Sequence, residues 1–266
     1  MRIDLNADVG ERTGSAAGEE PALLRSVTSA NIACGFHAGD PSQIRRTLRL
    51  VRDCHVVAGA HPSLADREGF GRRLLPVAPG EIEDLVLYQI SALAGMARAE
   101  SLALSHVKPH GALYHLASSD DAVADAVARA VSDYAEDLRL VGFAGSRLIE
   151  AGRRAGLRTS AEAFADRAYD SDGRLVPRDR PGAVLSDPRR VVEQALRIVV
   201  DGRVLASDGR TPLDVSADTL CIHGDTPGAA HLAEAVRTAL EREGVQVAAP
   251  ERQGAGGASA VSPPDR

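Results

Sequence analysis

The chain has 266 residues, 31 basic and 37 acidic, for a net charge of −6. Its 44% hydrophobic and 26% charged content is that of a globular chain and excludes a disordered polymer; no apolar run of about 18 residues marks a membrane span. The acidic balance argues against nucleic-acid binding, and the basic residues are peculiar: Lys108 is the single lysine and the other 30 are arginine.

Short β-rich runs alternate with longer helical ones. A strand is predicted at 2–5, and the opening MRIDLNAD lacks the apolar stretch of a secretory signal. A second strand at 27–33 leads to Asp40-Pro41, an aspartate cap followed by proline at the first helical position. The helix it starts has Ile44, Leu48 and Val51 on its apolar face. A strand at 56–60 precedes a helix at 79–99, with Ile82, Leu85, Val86, Ile90 and Leu93 on one side. The strand at 102–107 must end or bulge at Pro109, which has no N–H. Then come a helix at 120–134, a strand at 138–143, a helix at 146–155 and a strand at 157–163. The segment 170–187, rich in Arg, Asp, Pro and Gly, reads as a long excursion. A helix at 188–200, a strand at 220–223 and a helix at 227–243 complete the series.

This alternation predicts an α/β fold with a parallel sheet. Right-handed crossovers and a length near the roughly 250 residues of an α/β barrel favour a closed single β/α barrel over an open sheet. The count gives about seven strands, one short of the usual eight of such barrels. We assign 1–248 to the barrel and read 249–266, which includes GAGGASAVSPPDR, as a disordered tail with little to bury. Cys34, Cys54 and Cys221 contain no CxxC pair and read as free thiols in a reducing cytoplasm.

The polar residues cluster where strands end. The first strand gives Asp4, Asn6, Asp8 and Glu11; the second gives Asn31, Cys34, His37 and Asp40. Later ones give His61 and Ser63; His106, Lys108, His110 and Tyr114; Glu162, Asp166 and Arg167; and His223 and Asp225. In a parallel barrel these ends meet on one rim, where barrel enzymes place their active sites. Singly, each has a bland reading: Asp40 is a helix cap, a lone histidine a structural imidazole, and His55, His115 and His231 structural or surface residues. Accidents would not fall at the same end of every strand. Alternation puts residues 106, 108 and 110 on one side, so two imidazoles and an ammonium face an anion or a developing oxyanion together. Asp8, His61, His110 and His223 could also ligate a metal, but no HExxH or tight HxH pair supports it. There is no phosphate loop, no GxGxxG after the first strand and no GxSxG elbow.

The ordered motifs DLNADVGE, SANIACGFHAGDP, GAHPSLADREGFGRR, YQISAL, HVKPHGALY, FAGS, EAFADRAY and CIHGDTP resemble the LamB/YcsF family from residue 1 to about 247. The resemblance implies a barrel of the glycoside hydrolase/deacetylase type, often seven-stranded. It implies cleavage of the lactam of 5-oxo-L-proline to L-glutamate, with ATP as co-substrate together with Mg2+, and no tightly bound metal. It implies 5-oxoprolinase subunits B and C as partners, and leaves homo-oligomerisation open. On this reading Lys108 and His110 face the phosphoryl or oxyanion charge. Asp8, Asp40 or Asp225 orients water or magnesium, and the sequence does not choose among them. His37, His61 and His223 are proton-transfer candidates. Asn6, Glu11, Asn31, Glu162, Asp166 and Arg167 bind substrate or support those that do. The chain departs from the family pattern in the segment after Gly10, at Leu64 and at His115. Two other readings are a stand-alone metal-dependent amide or N-acetyl hydrolase and a non-catalytic substrate-binding subunit.

Overall fold

A computed structural model describes residues 1–11, 18–226 and 228–251. In chain order the elements are β1 (Arg2–Val9), α1 (Glu20–Ser26), β2 (Ser29–Ala33), α2 (Pro41–Asp53), β3 (Val57–His61), α3 (Pro79–Ala99), β4 (His106–Val107), α4 (Gly111–Ser119), α5 (Asp121–Tyr134), β5 (Arg139–Phe143) and α6 (Arg147–Arg154). They continue with β6 (Arg158–Phe164), α7 (Pro188–Val200), β7 (Arg203–Leu205), β8 (Pro212–Asp214), β9 (Thr219–Ile222), α8 (Ala229–Arg242) and β10 (Gln246–Val247). Among the described residues, seven parallel strands close a barrel in the order β1-β2-β3-β4-β5-β6-β9, with β9 pairing back onto β1. β10 adds a short parallel pairing to the start of β1, and β7 and β8 form a separate antiparallel hairpin.

The expected seven-stranded α/β barrel is therefore what forms. No helix of the described residues is long and apolar enough to cross a membrane. Of the expected tail, 252–266 lies outside the described residues, as does Pro227 at the expected start of the last helix. The three cysteines are free thiols, as expected.

The core lies between barrel and helices. Along β1 the odd residues Ile3, Leu5, Ala7 and Val9 are buried against the helical layer, while the even residues Asp4, Asn6 and Asp8 are buried on the other face, inside the barrel. The strand thus buries both faces yet alternates in polarity. Helix α2 forms as its sequence predicts: Asp40 Oδ1 accepts from the Gln43 N–H at 2.8 Å, and Ile44, Leu48 and Val51 face the core. Asp120 caps α5 in the same way.

Two features depart from the expectation. Residues 111–119 form α4, a helix that the periodicity of the sequence does not announce. The hairpin of β7 and β8 is likewise additional to the expected elements. As expected, β4 ends before Pro109, at Val107, although two bonds toward β3 continue past it: Lys108 N–H to Ala60 O at 2.9 Å and His110 N–H to Pro62 O at 2.8 Å. The proline nitrogen falls between these two donors, so the missing N–H costs nothing on that side.

Gly59 on β3 pairs in register with His106 on β4, and a Cβ there would overlap the His106 ring. His106 can cross the barrel because residue 59 has no side chain. Gly59→Ala should therefore destabilise the protein by about 1–3 kcal/mol, the range for overpacking a close-packed core, as measured by urea unfolding.

Candidate active site

Lys108 follows β4 and reaches into the barrel from its C-terminal end. Its ammonium lies 2.9 Å from Asp8 Oδ1, 2.8 Å from Glu162 Oε1, 3.3 Å from Asn6 Oδ1 and 3.2 Å from Cys221 Sγ. The side chain is only 3% exposed, so water cannot screen these charges. Burial disfavours the ammonium, but Asp8 and Glu162 outweigh it and hold Lys108 charged, well above the ordinary lysine range. Burial likewise pushes Asp8 up, and His61 and Lys108 bring it well below the usual carboxylate range. Cys221, pushed up by burial, stays a thiol.

Below this centre the network runs down the barrel axis. His106 Nε2 donates to Asn31 Oδ1 at 2.8 Å, and Asn31 Nδ2 donates to Asn6 Oδ1 and Asp8 Oδ1 at 2.8 and 2.9 Å. Asn6 Nδ2 donates to Glu162 Oε1 at 3.0 Å and to Thr219 Oγ1 at 2.7 Å. Asp4 receives hydroxyls from Thr28, Ser29 and Thr219 at 2.6–2.7 Å. Each of these donors meets an acceptor. Burial drives His106 down to about 3, so it is a neutral link.

Above the centre lies a cluster of imidazoles. His61 Nε2 is 3.0 Å from His110 Nδ1 and 3.4 Å from Asp8 Oδ2. Glu11 Oε1 is 2.9 Å from His37 Nε2 and 3.2 Å from His110 Nδ1. His37 stacks on His110 at 3.8 Å between ring centroids. Gly71, at φ +66°, lets the 66–73 loop run against both rings: a Cβ there would sit 2.8 Å from His37 Cβ and 2.9 Å from His110 Cδ2. Burial holds His37 neutral, down to about 4.

These groups open into a cavity of about 240 Å3. Asp8, Glu11, His61, Lys108, His110 and His223 line it, as do Tyr114, Phe164 and three arginines. His223 Nδ1 donates to Asp166 at 2.9 Å, and Thr226 Oγ1 donates to the same carboxylate at 3.0 Å. Asp166 thus holds Nδ1 as the protonated nitrogen and turns Nε2 away from itself. Tyr114 donates to Glu162 Oε2 at 2.7 Å. Arg72 and Arg178 both pair with Asp225 at the mouth, Arg178 at 3.2 Å. Arg167 is buried and donates to the carbonyls of Ala183 and Val176 at 3.2 and 2.6 Å. A wider hollow of about 790 Å3 adjoins the cavity across Tyr114, His115 and Leu175.

Most expected residues converge here, but not in one role. Asp8, Glu11, His61, Lys108, His110, Arg167, His223 and Asp225 line the cavity. Asn6, Asn31, His37, Glu162 and Asp166 do not line it; they sit behind and hold those that do. Asp40 is a correction. It is exposed, it caps α2, and it does not reach the cavity. Its carboxylate is committed to the helix end, where it accepts from the Gln43 N–H. Arg72, Phe164 and Arg178 line the cavity without being among the expected site residues, and Tyr114, expected at the rim, lines it too. Tyr114 and Arg72 lie within the sequence motifs HVKPHGALY and GAHPSLADREGFGRR, and Arg178 lies in the 170–187 excursion, which packs over the cavity.

Lys108→Met removes the ammonium that sits between two buried carboxylates. It should cost about 3–5 kcal/mol in stability, as breaking a buried ion pair does, measured by chemical denaturation; loss of less than about 1 kcal/mol would contradict this charge balance.

The chain matches the LamB/YcsF family over residues 3–255. It is 55% identical over 251 residues to a Chloroflexus aggregans protein named as the A subunit of 5-oxoprolinase, covering 94% of this chain and 99% of that one. Among solved structures it is similar to a lactam utilization protein from Thermus thermophilus, with a TM-score of 0.86, 47% identity, and 93% and 99% of the two chains covered. It shares its fold alone with the Xyl-CE4 domain of a multidomain xylanase from the hindgut metagenome of Trinervitermes trinervoides, at a TM-score of 0.51 and 10% identity over 92% of this chain and 85% of that one. With the family matched from the first strand to beyond the last, this chain belongs to the LamB/YcsF family.

Proposed function

We propose that this chain is the A subunit of a 5-oxoprolinase, acting with subunits B and C to open the lactam of 5-oxo-L-proline to L-glutamate, with ATP hydrolysed to ADP and phosphate. The full-length likeness to relatives named as the A subunit of 5-oxoprolinase carries the reading. The cavity supports it chemically. 5-Oxoproline is a small amide ring with one carboxylate, and about 240 Å3 is at the small end of ligand pockets. The arginines at the mouth suit the carboxylate. The adjoining hollow gives room for a larger second reactant.

A lactam resists water because its nitrogen is a poor leaving group. Transfer of the terminal phosphoryl of ATP, with Mg2+, to the lactam oxygen makes the ring carbon electrophilic. Water then adds to that carbon and the ring C–N bond breaks as the nitrogen takes up a proton, which leaves an acyl phosphate; a second water hydrolyses it to the free carboxylate and phosphate. Lys108 faces the oxygen that gains negative charge, and its charge is fixed by Asp8 and Glu162 before substrate arrives. His223, oriented by Asp166, is the base for the attacking water and then the acid for the ring nitrogen.

Glutamate release from 5-oxoproline should need ATP and the partner subunits. No release from the reconstituted complex, or release of equal rate without ATP, would overturn the proposal. In that complex His223→Ala should lower kcat by about 100-fold or more, the range for losing a general acid–base group. Lys108→Arg should lower kcat by about tenfold or more, since a planar guanidinium cannot replace a compact ammonium in a closed space. Unchanged turnover with Lys108→Arg would remove that residue from the chemistry.

A further inference from the structure

His61 and His110 each have one ring nitrogen engaged by the main chain. His61 Nδ1 is 2.7 Å from the carbonyl oxygen of Lys108, and His110 Nε2 is 2.9 Å from that of Phe70. A carbonyl only accepts, so these two nitrogens carry protons. With those protons outward, two unprotonated inner nitrogens would aim lone pairs at each other from His61 Nε2 and His110 Nδ1, 3.0 Å apart. Two acceptors at that distance need a cation between them. Glu11 Oε1 is a third acceptor on the same point, 3.2 Å from His110 Nδ1 and 3.8 Å from His61 Nε2. Among the described residues its ion-pair partners are imidazoles alone. A proton bridges one pair; a metal ion takes all three.

The spacing fits. Bonds of about 2.0–2.1 Å to a tetrahedral ion place the ligand atoms about 3.3 Å apart, and the three separations straddle that value. Backbone carbonyls on the outer nitrogens are the supports that orient metal-bound imidazoles. His37 plays a different part. Its Nε2 is 2.9 Å from Glu11 Oε1, and its Nδ1 is buried with no hydrogen-bond partner among the described residues. Were Nε2 bound to metal, Nδ1 would hold a proton with nowhere to donate it. With Nε2–H donated to Glu11, Nδ1 is a bare lone pair, the more tolerable orphan. A second group, Asp8, Cys221 and His223, is close enough to ligate, but the Lys108 ammonium already sits against two of its members.

We propose that Glu11, His61 and His110 bind a zinc-class divalent cation, with His37 holding the Glu11 carboxylate in place. All three ligands line the cavity, so the open coordination position faces the reacting molecule and supplies a Lewis acid. This reverses the expectation of no tightly bound metal, and it stands whether or not the substrate is 5-oxoproline.

The test uses the full untagged chain, stripped with a chelator and titrated with Co2+ and then Zn2+. The wild type should take up about one equivalent of cobalt, with the intense visible absorption of a four-coordinate site, and release it to zinc. His61→Ala, His110→Ala and Glu11→Gln should each weaken binding by about 100-fold or more, and His37→Ala by about tenfold. His231→Ala, on the exposed face of α8, should bind as the wild type does. The proposal is overturned if the wild type shows no stoichiometric cobalt spectrum, a result independent of how the variants fold. It is also overturned if folded His61→Ala and His110→Ala keep wild-type affinity. Metal uptake with no ATP-dependent glutamate release leaves this site standing and removes the substrate reading; the converse removes this site alone.

Discussion

A narrow barrel must fill its own axis, and here the filling is charge. The Lys108 ammonium is taken out of water and compensated by Asp8 and Glu162 at 2.9 and 2.8 Å. Neither carboxylate could be buried there without it. Each is tied further: Asp8 to Asn31 and Glu162 to Asn6 and Tyr114. The column continues through His106 and Thr219 to Asp4, near the opposite end of the barrel. Buried ion pairs of this kind contribute little net stability against an apolar alternative, yet a half-satisfied one is costly. The network therefore acts as one unit that holds Lys108, Asp8 and Tyr114 in place.

The outer face of the same strands carries the stability. Leu5, Val9, Ile32 and Leu220 pack under the helices, so the polar interior is held by an apolar jacket. This division separates the tasks. The floor of Asn6, Asn31, His106 and Glu162 is paired throughout and positions groups. The imidazoles that face the cavity are each anchored from behind: His223 by Asp166, His61 by the carbonyl of Lys108 and His110 by that of Phe70. The inner nitrogens of His61 and His110 meet each other at 3.0 Å.

Much of this is legible in the sequence because a parallel barrel gives every strand the same direction. Once the alternation of strands and helices is read, Asp8, His61, Lys108 and His223 must share a rim. Asp40 shows the limit of that logic. It follows a strand like the others, but Asp-Pro is also a helix start, and the cap wins. Nor does rim position distinguish lining from support: Glu162 and Asp166 are as close to strand ends as His223, and only the observed contacts show that they hold Tyr114 and His223 rather than face the cavity. Arg178 is hidden because a loop of Arg, Asp, Pro and Gly has no periodicity from which its path can be inferred. The pairing of His61 with His110 depends on which ring nitrogen meets a backbone carbonyl, which no spacing encodes.

The burial of Lys108 has an effect on the outside of the molecule. It is the chain's single lysine and is 2% exposed, so the folded surface presents guanidinium groups and no side-chain amine. Reagents and enzymes that acylate or cross-link lysine find no side chain to modify, and a lysine-directed protease finds no accessible site. The guanidinium groups presented instead are flat and fork-shaped, able to stack and to bind carboxylates two-handed but unable to be neutralised by acetylation.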